Sequence, residues 1–429
     1  MITSKFNTFF YHEDLMVGYN ALSNEFIIID KELFELYKAA VNEKNISGLE
    51  EIHPSFFNHI KDRGFIIDKN VDEIKSIKEM VTTIDEDDEA YQLIINPTMN
   101  CNFKCWYCYE THIKDSKMSS ITIDKIISFI NKILENKNLK KFHLSWFGGE
   151  PLLYYDKTIL PILQKIHPLF KLKNIEFSSN FTTNGLLINE NILADCTLFG
   201  IDHFQITLDG HRERHNKVRF INKERGSYDE IVNNIKLTLK SRINVTVRIN
   251  ISEETLNDKV TEIINDFSDL SLENRKFLIF SFHKVWQEEK NIEKEMSKLI
   301  DKFKTHKLST QTIDEIDHVR NPCYADKKNQ ATINYNGEVF KCTARDFKSE
   351  NREGILQNDG SVLWNEKYYE RMNIKFKNKP CLNCKILPIC NGSCSQLALE
   401  NKNEEYCVHD FDEDKKTTLV KNMFLNALN

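Results

Sequence analysis

Hydrophobic and polar positions follow two rhythms through the middle of the chain. Short apolar or alternating runs predict β-strands. Five such runs are Tyr91–Ile95, Phe142–Phe147, Phe204–Leu208, Val245–Ile251 and Phe277–Phe280. Apolar residues spaced three or four apart predict helices between them. These stripes begin at Ile123, Tyr228 and Ile292. A capping box of Ser227 with Glu230 precedes the second stripe. The alternation indicates an α/β fold with a parallel sheet, in which functional residues are expected at the carboxyl ends of the strands.

The two ends of the chain differ from this middle segment. In residues 1–90, Phe6–Tyr11 and Glu25–Ile29 predict strands and the stripe at Leu33 predicts a helix, which together indicate a small α+β module. The acidic run Asp85–Glu89 predicts a solvated linker. Residues 307–429 are irregular and rich in cysteine. We therefore predict three domains, 1–90, 91–306 and 307–429.

Composition excludes several classes of protein. Hydrophobic residues make up 41% and charged residues 28%, a balance that can bury a core. The 58 lysines and arginines against 64 acidic residues give a net charge of −6, which argues against nucleic acid as a partner. No apolar run approaches the roughly 18 residues of a membrane span. Met1–Tyr11 also lacks the apolar core of a signal peptide. We expect a cytoplasmic protein with no membrane partner.

Eleven cysteines are the strongest chemical signal in the composition. The first hundred residues contain none, three then lie close together, one stands alone, and seven lie in the last quarter of the chain. Because the cytosol keeps thiols reduced, disulfides are the weaker explanation. Ligation of a metal or cofactor is favoured, and the spacing of the cysteines must identify it.

Directly after the first predicted strand comes Cys101-Asn-Phe-Lys-Cys105-Trp-Tyr-Cys108, a C-x3-C-x2-C loop. Three closely spaced thiolates can hold three corners of a cubane iron–sulfur cluster and leave the fourth iron open for catalysis. The alternative is a structural zinc site, which requires four ligands. We expect no fourth cysteine or histidine beside this loop.

Further motifs follow the cysteine loop along the chain. They are Gly148-Gly-Glu-Pro151, Thr182-Thr-Asn-Gly185, Gln205-Ile-Thr-Leu-Asp209-Gly210 and His215-Asn-Lys-Val-Arg219. Together with the cysteine loop, these motifs resemble those of the radical S-adenosylmethionine (SAM) enzymes, in particular the members that modify peptides and proteins. The resemblance implies a partial (β/α)6 TIM-like barrel, SAM as cofactor, and a 4Fe-4S cluster on Cys101, Cys105 and Cys108, the catalytic cysteines.

The resemblance also implies which residues contact SAM. Glu150 would receive the amino group of the SAM methionine, Thr183 and Asn184 would lie by the nucleoside, and Arg219 would pair with the methionine carboxylate. The full set implied to bind the cofactor is Tyr107, Gly148, Gly149, Glu150, Pro151, Thr183, Asn184, Asp209, Arg219 and Asn250. Arg248 is a weaker candidate beside Asn250.

The C-terminal cysteines resemble those of a SPASM domain, which carries two auxiliary 4Fe-4S clusters. Family pairing implies an outer cluster on Cys381, Cys384, Cys390 and Cys407. It implies an inner cluster on Cys323, Cys342 and Cys394. Two cubanes with four thiolates each need one more cysteine than this segment has. We therefore predict that a non-cysteine ligand, solvent or substrate completes the inner cluster. A zinc ribbon over Cys381–Cys394 is the alternative.

The function implied by the resemblance is maturation of a ribosomally made precursor peptide. Residues 1–90 would bind the leader of that peptide, and reduced flavodoxin or ferredoxin would supply electrons. The modification would be a thioether, C–C or C–O crosslink, or an epimerised residue. An anaerobic sulfatase-maturating enzyme that makes formylglycine is the nearest alternative. A non-catalytic zinc-binding adaptor is the alternative of another class.

Two remaining residues have simpler expected roles. Cys196 lies on an apolar helical stripe with Ile192, Leu193 and Phe199, so we expect it to pack in the core. His215 lies in a motif close to the expected cofactor, but a lone histidine of this kind is expected to be structural.

Overall fold

The computed structural model describes residues 1–256, 258–311 and 317–428, without the side chain of Asp258. The chain divides into two units. One comprises Met1–Asp87, Ile313–Lys328 and Tyr369–Asn429, and the other Asp88–Thr312 and Asn329–Tyr368. The three domains expected from the sequence stay a prediction.

The first unit begins with five strands. They are β1 (Ile2–Thr3), β2 (Asn7–His12), β3 (Leu15–Asn20), β4 (Glu25–Ile29) and β5 (Ile66–Ile67). Strands β2, β3 and β4 form an antiparallel sheet in that order, and β1 pairs with β5. The helices of this stretch are Lys31–Asn42, Leu49–Ile52, Pro54–Asp62 and Glu73–Asp85. The predicted α+β character of the N-terminal segment is confirmed.

The C-terminal part of the first unit is helical. Its helices, of which the first begins in the other unit, are Glu366–Met372, Leu387–Cys390, Ser395–Glu400 and Glu413–Leu428. The last of them packs against β2, where the rings of Phe10 and Phe424 lie 6.0 Å apart. Buried Val420 and Ile386 join the same apolar cluster. The N-terminal sheet and the cysteine-rich C-terminal segment therefore share one core.

The second unit is built on an eleven-stranded sheet. The strands of this unit are β6 (Ala90–Ile95), β7 (Lys141–Trp146), β8 (Glu176–Thr183), β9 (Ile201–Leu208), β10 (Phe220–Asn222), β11 (Arg225–Gly226), β12 (Asn244–Ile251), β13 (Leu278–Lys284), β14 (Ser309–Thr310), β15 (Gln330–Ile333), β16 (Glu338–Phe340), β17 (Gly354–Leu356) and β18 (Val362–Trp364). Strands β10 and β11 form a separate hairpin. The sheet order is β14-β13-β12-β9-β8-β7-β6-β15-β16-β17-β18.

Pairing from β14 to β15 is parallel, which confirms the predicted α/β class. The crossover helices are Ser120–Ile133, Leu160–Lys173, Glu190–Leu198, Arg212–Val218, Tyr228–Lys240, Glu262–Asp266, Leu272–Arg275 and Glu293–Thr305. Each apolar stripe faces the sheet because a helix of this fold must bury one face. In the first of these helices, for example, Ile123, Ile126 and Ile130 are buried.

One local prediction is wrong. The helix at Tyr228 begins as predicted, but Ser227 makes no capping bond with its side chain. Asn216 instead accepts the Tyr228 N–H at 3.0 Å, and Ser227 Oγ donates to the Arg219 carbonyl at 3.0 Å. Tertiary partners have replaced the local capping box.

No helix among the described residues is long and apolar enough to cross a membrane.

Candidate functional site

The predicted motifs gather at the carboxyl edge of the parallel strands. The three-cysteine loop follows β6, Gly148–Pro151 follows β7, Asn184 follows β8, and Asp209 follows β9. Asn250 lies next to the last residue of β12. Because β6, β7, β8, β9 and β12 are successive neighbours in the sheet, motifs far apart in sequence meet at one edge.

Burial and a nearby cation act in opposite directions on the three cysteines of the loop. Cys101 and Cys105 are half-buried and Cys108 is exposed. Burial raises the pKa of Cys101 to about 12 and that of Cys108 to about 11, while the positive charge of Arg219 acts on all three thiols in the opposite direction. The Phe103 N–H donates to Cys101 Sγ at 3.4 Å. The thiols therefore favour protonation until a metal replaces their protons.

A buried network joins the cysteine loop to the ends of β9 and β12. Arg219 Nε donates to Asp209 Oδ2 at 2.6 Å, and Arg219 Nη2 donates to the Tyr107 hydroxyl at 2.9 Å. Tyr107 donates in turn to Asp209 Oδ1 at 2.5 Å, and Asn250 Nδ2 lies 3.4 Å from the same oxygen. Burial raises the pKa of Asp209, but the Arg219 charge, the nearby His215 and the hydrogen bonds from Tyr107 and Arg219 together outweigh burial and hold that pKa below its usual value. Through Tyr107, this network holds the cysteine loop against the ends of β9 and β12.

The glycine pair after β7 lies flat against the backbone that leads into the cysteine loop. Gly148 and Gly149 have φ angles of +77° and +51°. A Cβ on Gly149 would lie 2.3 Å from the Asn100 carbonyl oxygen, and one on Gly148 would lie 2.6 Å from the Asn96 side chain. The Glu150 N–H donates to the same Asn100 carbonyl at 2.9 Å. Only glycine satisfies both the conformation and the close approach here.

Glu150 binds donors of its own chain. Its carboxylate is fully buried and accepts the Leu152 N–H at 3.0 Å, the Thr183 hydroxyl at 2.7 Å and the Asn184 N–H at 2.8 Å. Burial raises the pKa of Glu150, and these three hydrogen bonds oppose the rise. Pro151 begins the turn that follows. The Gly148–Pro151 and Thr182–Gly185 motifs thus form one structural unit across β7 and β8.

The edge continues into two more polar contacts. Asn184 Nδ2 donates to Asn102 Oδ1 at 2.7 Å, which ties β8 to the cysteine loop. Arg248 Nε donates to Asn250 Oδ1 at 3.0 Å on β12. On β13, burial and the nearby Arg248 charge lower the pKa of His283 to about 4. His283 is therefore neutral at pH 7, and sequence reasoning missed it because no motif surrounds it.

The expectation that no fourth ligand lies beside the loop is wrong. His112 Nε2 lies 3.5 Å from Cys108 Sγ. A Glu110 carboxylate oxygen joins them, and the three ligand atoms lie within 4.8 Å of one another. The Cys-x-Glu-x-His spacing after the third cysteine is the sequence signal that could have revealed both residues. Glu110 also accepts the Gly149 N–H at 2.8 Å, and burial raises its pKa to about 7.

Four C-terminal cysteines surround one cavity of about 210 Å³ in the first unit. They are Cys381, Cys384, Cys390 and Cys407, the set that the resemblance implied for an outer cluster. Asn378 Nδ2 donates to Cys381 Sγ at 3.1 Å, and buried Lys416 lines the same cavity. Four thiols around a single cavity are a ligand set that fits a cubane iron–sulfur cluster.

The other three C-terminal cysteines are distributed between the two units. Cys394 lines a neighbouring cavity of about 540 Å³ together with Cys381 and Tyr406. Cys323 precedes a short turn in the same unit, whereas Cys342 follows β16 in the other unit. The implied inner cluster on Cys323, Cys342 and Cys394 stays a prediction.

Cys196 and His215 have the structural roles expected from the sequence. Cys196 is fully buried in the apolar core of the second unit. His215 is also fully buried: its Nδ1 accepts the Asp209 N–H at 3.2 Å, and its Nε2 lies 3.0 Å from Ser227 Oγ. Through the Asp209 contact, His215 supports the backbone at the end of β9.

Comparison with known proteins places this arrangement in context. Residues 95–267 match the family described as the Radical SAM superfamily. The chain is 25% identical over 373 residues to the radical SAM cyclopropyl synthase TigE of Paramaledivibacter caminithermalis, a match that covers 79% of this chain and 75% of TigE. It is 25% identical to a cysteine-type anaerobic sulfatase-maturating enzyme of Clostridium novyi, over 39% of this chain and 45% of that enzyme.

A solved structure shares the fold over more of the chain. Streptococcus suis SuiB, solved bound to precursor peptide SuiA and also bound to S-adenosylmethionine, aligns with a TM-score of 0.54 and 17% identity. The alignment covers 95% of this chain and 98% of SuiB. At this identity the likeness concerns the fold alone.

Proposed function

We propose that this protein is a radical SAM peptide maturase acting on a ribosomally synthesised precursor peptide, since residues 95–267 match the Radical SAM superfamily. The observation that carries the proposal is the meeting of the three-cysteine loop, the Gly148–Pro151 turn and the Arg219 network at one edge of the sheet. Three thiols can hold a cubane cluster, and a buried guanidinium can pair with the carboxylate of a bound ligand.

Cys101, Cys105 and Cys108 would hold the catalytic 4Fe-4S cluster. When bound and reduced, that cluster would supply the electron for reductive cleavage of SAM, the source of the radical that would take a hydrogen atom from the substrate. Arg219 would bind the methionine carboxylate. A guanidinium has five N–H donors, and the contacts of Arg219 with Asp209 and Tyr107 use only two. Asp209 and Tyr107 hold the guanidinium in place, and Thr183 and Asn184 order the end of β8 for the nucleoside.

A peptide substrate is supported by the relatives and by the N-terminal sheet. SuiB was solved bound to the precursor peptide SuiA. In this chain β4 pairs with β3 alone among the described residues, and Ile28 on β4 is 56% exposed. An exposed strand edge with an exposed apolar side chain suits an added strand from a leader peptide. Residues 1–90 would therefore recognise the leader, with reduced flavodoxin or ferredoxin as electron donor.

Two auxiliary clusters would complete the cofactor set. The cavity between Cys381, Cys384, Cys390 and Cys407 supports the outer one. The inner one would use Cys323, Cys342 and Cys394 and a ligand that is not cysteine. Their proposed role is to accept the electron left after bond formation or to bind the substrate.

The proposal is tested with anaerobically reconstituted protein. We expect about twelve irons per chain, as three cubane clusters require. With SAM, reductant and a precursor peptide encoded beside the gene, we expect 5′-deoxyadenosine and a modified peptide. A loss of two hydrogens indicates a crosslink, and solvent deuterium uptake without other mass change indicates epimerisation. Alanine at Cys101, Cys105 and Cys108 should abolish deoxyadenosine formation, whereas Cys196→Ala should retain it; deoxyadenosine from the triple variant would refute the assignment.

The two alternatives predict other results. A sulfatase-maturating enzyme would convert a sulfatase-derived peptide to an aldehyde that a hydrazine reagent traps. The alignment with SuiB, which was solved bound to a precursor peptide, covers 95% of this chain, and this supports the precursor-peptide proposal. A zinc-binding adaptor would be colourless and contain zinc instead of iron. His112 beside Cys108 makes zinc analysis worthwhile.

A further inference from the structure

Two glutamates contact the glycine turn after β7, and their hydrogen bonding differs. Glu150 belongs to the turn itself, and each of its carboxylate oxygens already accepts hydrogen bonds from its own chain. These donors come from Leu152, Thr183 and Asn184. Glu150 is also fully buried, so its carboxylate serves to join the ends of β7 and β8.

Glu110 approaches the same turn from the cysteine loop. Its Oε2 accepts the Gly149 N–H at 2.8 Å. Its Oε1 is shielded from solvent, and no described residue forms a hydrogen bond with it. A buried carboxylate oxygen without a donor is unfavourable, because its lost hydration is not replaced. A ligand that brings an N–H group to this point would restore the missing hydrogen bond.

The position of Glu110 narrows the identity of that ligand. A Glu110 carboxylate oxygen and Cys108 Sγ belong to a group of ligand atoms that lie within 4.8 Å of one another. The negative charge of Asp346 also acts on Glu110, so the surroundings favour a donor or cation over an anion. A SAM molecule that binds the cluster through its methionine end brings an amino group to such a place.

We infer that Glu110, two residues after the third cluster cysteine, accepts a hydrogen bond from the amino group of the SAM methionine, while Glu150 is a positioning residue. The inference rests on the proposed function, since it requires SAM to bind at the three-cysteine loop. The Gly149 N–H orients the Glu110 carboxylate by one oxygen and leaves the other for the ligand. Recognition of the amino group then comes from the cysteine loop itself.

The test compares two ligands on several proteins. The ligands are SAM and its analogue with a hydroxyl group in place of the methionine amino group. Binding to reconstituted protein with an oxidised cluster is measured by anaerobic equilibrium dialysis. We expect the wild type to prefer SAM, and E110Q to lose about 10- to 100-fold of this preference, the factor that corresponds to a hydrogen bond with a charged acceptor. E176Q is the matched control, because this exposed carboxylate lies at the first residue of β8, at the opposite end of the strand from the motifs, and pairs with Lys141 at 3.5 Å. It should keep the preference.

Each outcome decides a separate point. Equal preference for SAM in E110Q and wild type overturns the inference but leaves the proposed function intact. Equal weakening of both ligands also overturns it, because Glu110 would then only position the turn. Absence of SAM binding in the wild type refutes the proposed function instead. If E110Q does not retain iron, E110D decides: its charge is kept but its reach is shorter, so an unchanged preference overturns the inference and a reduced preference supports it.

Discussion

Replacing Asp209 by asparagine is expected to destabilise the second unit strongly, because it removes the counter-ion of a buried cation. Arg219 is 8% exposed and Asp209 is 2% exposed. At 2.6 Å and with an effective dielectric constant of about 20, the two charges attract by about 6 kcal/mol before their desolvation is subtracted. Asparagine keeps the shape but not the charge. Loss of one partner from a buried pair costs about 3–5 kcal/mol, because the other charge remains buried.

The assay is urea-induced unfolding followed by circular dichroism, with the apparent free energy compared between wild type and variant. Asp269→Asn is the control, because its partner Lys236 lies at 2.8 Å in an exposed pair, for which we expect a loss below about 1 kcal/mol. In the double variant D209N/R219Q both charges are absent, so its loss should be smaller than the sum of the two single losses. Equal losses for D209N and D269N would refute the claim that the buried network carries this stability.

Three further predictions concern the turn, the C-terminal cavity and pH. Gly149→Ala should abolish SAM binding in equilibrium dialysis, because its Cβ would lie 2.3 Å from a carbonyl oxygen; Gly200→Ala, at a φ of +69° but with no atom nearer than 3.7 Å, should retain it. Alanine at all four cavity cysteines, Cys381, Cys384, Cys390 and Cys407, should lower the iron content by about four per chain, as one cubane requires, and unchanged iron would exclude a cluster at this cavity. His215 has a folded pKa of about 3 against 6.5 unfolded, so stability is full above pH 6.5 and falls as pH drops below it. We expect His215→Asn to remove about 1.4 kcal/mol per pH unit from the slope of the unfolding free energy between pH 6 and 4.

In the second unit, the strand predictions are confirmed where the strand buries hydrophobic side chains. Strands β6, β7, β9, β12 and β13 were all predicted, and each buries hydrophobic side chains. Strand β8 was missed because its sequence, Glu-Phe-Ser-Ser-Asn-Phe-Thr-Thr, places polar residues at buried positions. Those positions are buried because β7 and β9 flank the strand, and this pairing is a tertiary effect. Strands β15–β18 are three or four residues long, too short for a periodic signal.

For the site as well, the sequence predicts where the motifs lie, whereas the contacts between their side chains are seen only in the structure. The order of motifs along parallel strands is enough to predict that they meet at one edge. It does not predict which polar atoms then pair with one another. His112 and Glu110 lie within four residues of Cys108, but the spacing of the cysteines predicts neither of them. Cys323 and Cys342 show the same limit, since their grouping rests on resemblance alone.

The pairing of polar atoms gives a criterion for separating ligand contacts from supports among the motif residues. Glu150, Thr183, Tyr107 and Asp209 bind one another or the backbone, so their variants should lower stability and SAM affinity together. Glu110 keeps an oxygen without a partner among the described residues, and Arg219 keeps N–H donors beyond its two contacts. We therefore expect direct contact with SAM from Glu110 and Arg219, whose hydrogen-bonding groups are not all used by the fold. Since one is an acceptor and the other a donor, they match the two ends of an amino acid, and Glu110 would face the amino group and Arg219 the carboxylate. On this reasoning E110Q should lower SAM affinity without lowering stability, because the fold holds that carboxylate by a single hydrogen bond.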